Sequence, residues 1–135
     1  MTEVRYPTLA DVAGIARKLG VGIRDAGLAE SAVARPQTSV FGEDAYPDLW
    51  TKASALLHSL VSNHPFVDGN KRIGWIVAIT FLLQNRAITI TSLDETDQDV
   101  AYDLVIGVAE GQLTEVAEIA AALRKLFELP SELNR

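Results

Sequence analysis

The chain contains no cysteine, which excludes a disulfide scaffold and any zinc site built on thiolates. It has only two histidines, His58 and His64, too few for a histidine-rich metal centre. Long hydrophobic runs are missing as well. The longest nearly unbroken one, Ile73 to Leu83, falls short of the ~20 residues that a bilayer-spanning helix needs. The opening residues, Met1 to Pro7, form neither a basic leader region nor an apolar one, so secretion is not expected. A cytoplasmic protein with no membrane partner is. No Walker P-loop and no GxGxxG is present, so any nucleotide must be held by other means. Linkers, repeats and low-complexity segments are lacking too, and residues 1–135 are expected to form a single domain.

Positive charge is absent from a long stretch. Between Arg86 and Arg124 there is no Lys or Arg, while Asp94, Glu95, Asp97, Asp99, Asp103, Glu110, Glu115 and Glu118 all fall there. The net charge is −6. Such a face repels phosphate backbones, so nucleic acid is not the expected ligand. It is either a solvated surface or a docking face for a basic partner.

What is present reads as helix. Thr8 followed by Asp11 marks a helix start, and Leu9, Val12, Ala13, Ala16 and Leu19 recur at helical spacing up to Gly20 and Gly22. A short helix is expected over Leu28 to Ala34, stopped by Pro36. Gln37, Thr38, Ser39, Val40, Phe41 and Gly42 are β-prone and precede Glu43-Asp44, which suggests an exposed extended loop or hairpin. Pro47 suits a first helical turn, and Leu49, Trp50, Ala53, Leu56, Leu57 and Leu60 then form an apolar stripe. Ile73 to Leu83 is apolar nearly all round, as expected of a helix buried on every side. Ala87 to Thr91 suggests a short extended segment. Two further helices follow, through Val100, Leu104, Val105 and Val108 up to Gly111, and over residues 114–128. The expected fold is all-α, a compact helical bundle with one short β-like flap.

Between the two most apolar helices stands His64-Pro65-Phe66-Val67-Asp68-Gly69-Asn70-Lys71-Arg72. Asp68 is placed to cap the following helix, whose first turn would be Gly69, Asn70 and Lys71. A helix start offers unsatisfied N–H groups and the positive end of the macrodipole, a ready anion site. Gly69 permits close approach of a ligand to the backbone. Lys71 and Arg72 add cations and Asn70 an amide donor. Asp68 is the one carboxylate available to a phosphate-bound Mg²⁺, and His64 can accept a proton from an attacking hydroxyl. Phe66 is expected to anchor the loop in the core. His58, six residues earlier, reads as structural.

These nine residues resemble the signature of the Fic/Doc superfamily, HxFx[D/E]GN[G/K]R, at each fixed position. Ala34-Arg35-Pro36-Gln37, Tyr46-Pro47-x-Leu49-Trp50, the run Ala55 to Leu60 and the run Ala101 to Val105 resemble its Doc branch. The likeness extends over roughly residues 5 to 127. It implies a Fic-like helical bundle acting as the toxin of a toxin–antitoxin pair, with ATP and Mg²⁺ as cofactors. His64 would be the general base, Asp68 the metal ligand, and Gly69, Asn70, Lys71 and Arg72 the phosphate contacts. The flap Gln37, Thr38, Ser39, Val40 and Phe41 would align the target by strand addition. Lys71 stands where AMP-transferring relatives carry glycine, which implies a protein kinase acting on a threonine of elongation factor Tu and so blocking translation. Gly69 matches the AMP-transferring pattern instead. The alternatives are therefore a Fic-type AMP transferase or a non-enzymatic, partner-binding module. Ser39 and Glu43 share the spacing of an inhibitory [S/T]xxxE[G/N] helix, but Asp44 follows and the segment lies in the flap. Inhibition is thus expected from a separate antitoxin whose C-terminal segment folds on binding.

Overall fold

The computed structural model describes residues 3–128; residues 1–2 and 129–135 of the expected single domain lie outside the described residues. Seven α-helices follow one another among them: α1 (Leu9–Lys18), α2 (Ala26–Ala34), α3 (Leu49–Ser62), α4 (Asn70–Gln84), α5 (Ile90–Asp94), α6 (Gln98–Ala109) and α7 (Val116–Phe127). A 3-10 turn, Arg35–Gln37, and a hairpin of β1 (Ser39–Val40) and β2 (Glu43–Asp44) link α2 to α3. The all-α architecture with one small β flap is as expected.

Local capping chemistry sets most boundaries. Thr8 and Asp11 close a reciprocal capping box on α1. Asp25 accepts from the Leu28 N–H, so α2 begins two residues before the expected Leu28. Pro36 lies within the 3-10 turn that continues this helix, a position its fixed φ and missing N–H allow. Asp48, not Pro47, begins α3, through a capping box with Thr51. The extended segment expected over Ala87 to Thr91 is not formed. Thr89 and Ser92 instead cap the short helix α5, because hydroxyls beside free N–H groups favour a helix start over a strand that has no partner.

The packing order differs from the sequence expectation in one respect. The helix enclosed most completely is α3, in which nine of fourteen residues are buried, and it packs chiefly on α4 and then on α7. In α4, Lys71 and Arg72 are exposed and Trp75 and Ile76 only half-buried. Its apolar circumference serves two surfaces, the core and a cavity. Leu56, Leu57, Leu60 and Val61 meet Ile73, Val77, Phe81 and Leu82 in the core, joined by Val12, Ile119 and Leu123. The two central helices approach closely at Gly74, where a Cβ would stand 2.8 Å from Val61 Cγ2. Close approach explains a glycine that otherwise costs about 1 kcal/mol in a helix interior.

Lys52 is buried at 2 % exposure yet fully engaged. Its ammonium forms a 3.1 Å ion pair with Asp44, donates to the Tyr46 carbonyl and lies 6.0 Å from the centre of the Tyr6 ring. Both contacts on the hairpin side fasten β2 and its exit to α3. The flap is thus tied to α3 at its base, while Phe41 at its tip is fully exposed.

Candidate active site

The chain leaves α3 at Ser62, with Asn63 as C-cap. His64 adopts a left-handed backbone, φ 52°, one that histidine enters more readily than β-branched residues do but still at a cost. Its imidazole does not continue the α3 stripe; it stands in the loop, exposed. Phe66, at 1 % exposure, is driven into the core and anchors the loop as expected. Asn70 secures it: Oδ1 accepts from the Phe66 N–H at 3.0 Å and Nδ2 donates to the Phe66 carbonyl at 3.2 Å. The Asn70 carboxamide therefore shapes the loop with its oxygen and one of its N–H groups.

The cap of α4 is Gly69, not Asp68. Gly69 is left-handed at φ 70° and offers no side chain to the helix start. The Asp68 carboxylate turns outward, with Oδ1 accepting from the Gly69 N–H at 2.8 Å, and remains exposed. Two consequences follow. The N–H groups of Asn70, Lys71 and Arg72 have no hydrogen-bond acceptor among the described residues, as at any helix start without a capping side chain. The carboxylate that would have capped them faces the ligand space instead.

That space is a cavity of about 880 Å³. His64, Asp68, Gly69, Asn70, Lys71 and Arg72 all line it, so the six motif residues singled out from the sequence come together. Neither Lys71 nor Arg72 has an ion-pair partner among the described residues. Two free cations and three free N–H groups make this end strongly anion-attracting. The rest of the lining includes Trp75 of α4 with Tyr102, Val105 and Ile106 of α6, which are apolar and aromatic. This part of the lining went unnoticed in the sequence, although Trp75 stands four residues after Lys71, on the same helical face. Asp99, from the acidic stretch, also lines the cavity. The other acidic residues of that stretch are exposed, and Asp97 caps α6, as in a solvated face.

The flap is apart from the cavity lining. Gln37 belongs to the 3-10 turn, and the strand proper is Ser39–Val40 paired with Glu43–Asp44. Phe41 and Gly42 at its tip both have positive φ, 52° and 81°, the dihedral pattern of a two-residue hairpin turn that matches strand twist. The Phe41 side chain is fully exposed and Val40 half so.

A scan of known families matches the Fic/DOC family over residues 6–82, a span running from before α1 almost to the end of α4. The chain belongs to the Fic/DOC family. Its hairpin, its loop, α3 and all but the last two residues of α4 lie within the matched span. The chain is also 48 % identical over 106 residues to a protein named Toxin Doc from Mycolicibacterium smegmatis (strain ATCC 700084 / mc(2)155), covering 74 % of this chain and 79 % of that one.

In this Fic/DOC chain His58 is structural in its contacts. Arg35 donates to His58 Nδ1 at 2.8 Å, to Ser59 Oγ at 3.0 Å and to the Tyr46 hydroxyl at 3.0 Å. Because arginine can only donate, Nδ1 is an acceptor and the imidazole is neutral. Burial, then the Arg35 charge, hold the His58 pKa below its ordinary 6.5, with Glu115 opposing. The unfolded chain therefore binds this proton more readily. The stability contribution is complete above 6.5 and is lost as pH falls below it toward the lowered folded value. Thermal melts across this range should show the wild type losing stability on acidification. His58→Asn, which keeps an acceptor but cannot titrate, should flatten the loss; parallel pH profiles would remove His58 as its cause.

Proposed function

We propose that the protein is a Doc-type toxin that transfers the γ-phosphate of ATP to a threonine of elongation factor Tu, and is restrained by an antitoxin whose C-terminal segment folds on binding. The observation that carries the reading is the juxtaposition, in one cavity, of an exposed imidazole, an uncapped helix start and two unpaired cations. The name of the 48 % identical relative supports the toxin assignment.

The residues fit a metal-bound triphosphate. Asp68 is exposed, not used as a cap, and no cluster of three metal-binding side chains surrounds it among the described residues. One protein carboxylate suits Mg²⁺, which fills most of its shell with phosphate and water. When bound, that ion neutralises charge on the phosphate oxygens. The free N–H groups of α4, with Lys71 and Arg72, hold the phosphates; the apolar wall of Trp75 and Tyr102 faces the other end of the nucleotide. The target segment pairs along the hairpin edge, next to Val40 and Phe41. Its hydroxyl oxygen bonds to the γ-phosphorus and its proton passes to His64. The bond from that phosphorus to the β,γ-bridging oxygen breaks, and ADP departs with the electron pair.

Lys71 favours phosphoryl transfer over AMP transfer, because a long cation in the first turn occupies the room that an AMP-transferring site leaves open. Gly69 does not speak against this. Its left-handed φ accounts for a glycine without reference to the reaction. Incubation with elongation factor Tu, Mg²⁺ and ATP labelled at the α or the γ position should label the target from γ only. Label from α would replace the kinase by an AMP transferase. Growth arrest that survives His64→Ala and Arg72→Ala together would leave a partner-binding module.

A further inference from the structure

A second segment of the chain grips the loop from behind. The connector between α1 and α2 runs antiparallel to residues 64–67, with Ile23 bridged to Phe66. The Val67 N–H donates to the Gly22 carbonyl at 3.0 Å, and the Pro65 carbonyl accepts from the N–H groups of Arg24 at 2.8 Å and Asp25 at 3.0 Å. The Arg24 side chain completes the grip. Nε donates to the His64 carbonyl at 2.9 Å, Nη2 donates to the same oxygen, and Nη2 reaches the Asn63 carbonyl at 3.3 Å.

Among the described residues the guanidinium hydrogen-bonds to backbone oxygens only. It has no carboxylate partner among the described residues, and Arg24 does not line the cavity. An arginine at a helix C-terminus satisfies orphan carbonyls, and that is the plainer account of the Asn63 contact. It does not account for two N–H groups converging on the carbonyl of His64, a residue already outside the helix. A left-handed non-glycine residue persists only where its surroundings over-determine it. Here those surroundings are Pro65 on one side, pinned by the backbone of Arg24, and the His64 carbonyl itself, pinned by its side chain.

We infer that Arg24 is a positioning residue: it fixes the backbone of His64 and so aims the imidazole across the start of α4. This rests on the proposed role of His64 as proton acceptor. Displacement of a reacting group by about 1 Å can cost on the order of a hundredfold in rate, whereas nucleotide binding depends on Lys71, Arg72 and the α4 N–H groups, which Arg24 does not touch. Loss of Arg24 should therefore lower kcat and leave the KM for ATP nearly unchanged.

The presence of only two histidines makes the test direct. In the intact protein, the imidazole carbon–proton NMR signals of His58 and His64 are assigned by the loss of one in His64→Ala. Arg24→Ala should move the His64 signal and leave that of His58, which lies on α3 and is held by Arg35 of the 3-10 turn. Turnover should fall by about a hundredfold with KM for ATP unchanged within about twofold. Arg24→Gln, which keeps a single donor nitrogen, should recover part of the rate and serves if the alanine variant folds poorly. An unmoved His64 signal overturns the inference, as does a fall in rate accompanied by equal movement of both histidine signals. A wild-type protein that transfers neither label sinks the proposed reaction alone, and the His64 signal still decides whether Arg24 holds that residue.

Discussion

Replacing His64 with asparagine should reduce phosphate transfer by about 10²- to 10⁴-fold, the usual contribution of a positioned general base, while thermal stability stays close to that of the wild type. Asparagine is the informative substitution because it tolerates a left-handed backbone, so the loop at φ 52° is not stressed by the change. It cannot take a proton at the pH of the reaction. The imidazole is exposed and its ring forms no hydrogen bond with any other described residue, so its removal leaves no buried group unpaired and opens no cavity. A loss of activity with stability retained therefore reports on chemistry. Single-turnover transfer from γ-labelled ATP, with a parallel melt, measures both. Activity within tenfold of the wild type would exclude His64 as the proton acceptor.

Phe66→Ala should have the largest effect on folding, a loss of about 3–5 kcal/mol. Most natural domains have only about 5–15 kcal/mol in total, so the variant is expected to be partly unfolded at physiological temperature. Phe66 is among the largest fully buried side chains. It is also the residue whose N–H and carbonyl are both held by Asn70, and whose backbone pairs with Ile23. Its truncation removes core contacts and loosens the segment that carries His64 and Asp68. Val67 is the control: it is the next residue but 69 % exposed, so Val67→Ala should change stability by less than about 0.5 kcal/mol. Urea titrations of the two variants make the comparison. A Phe66→Ala loss below about 1 kcal/mol would mean that the loop is anchored elsewhere.

The site was legible because its chemistry is nearly contiguous. His64, Asp68, Asn70, Lys71 and Arg72 lie within nine residues between two apolar helices, so no long-range contact was needed to bring them together. The helices were legible from periodicity, and Thr8 with Asp11 from capping chemistry. Other features were not. Whether Asp68 or Gly69 caps α4 depends on a backbone dihedral that either residue type permits, and the left-handed Gly69 released the carboxylate. Ala87 to Thr91 has β-prone composition, but a strand forms only with a partner strand, and none is beside it among the described residues; Thr89 capped a helix instead. The nearly all-round apolar run Ile73 to Leu83 of α4 points to the enclosed position that α3 occupies. Part of that apolar surface, including Trp75, faces the cavity.

Residue identities and their local spacing were enough to dictate the chemistry available at the loop, the helical periodicity and the hairpin turn, because each depends on neighbours within a few positions. Tertiary structure alone decided that α6 joins α4 in lining the cavity. It decided too that Lys52 ties the hairpin to α3 and that Arg24, forty residues before His64, holds the His64 carbonyl. Those contacts join segments far apart in the chain. Their existence depends on how the helices pack, and side-chain packing at positions such as Gly74 is a property of the folded whole.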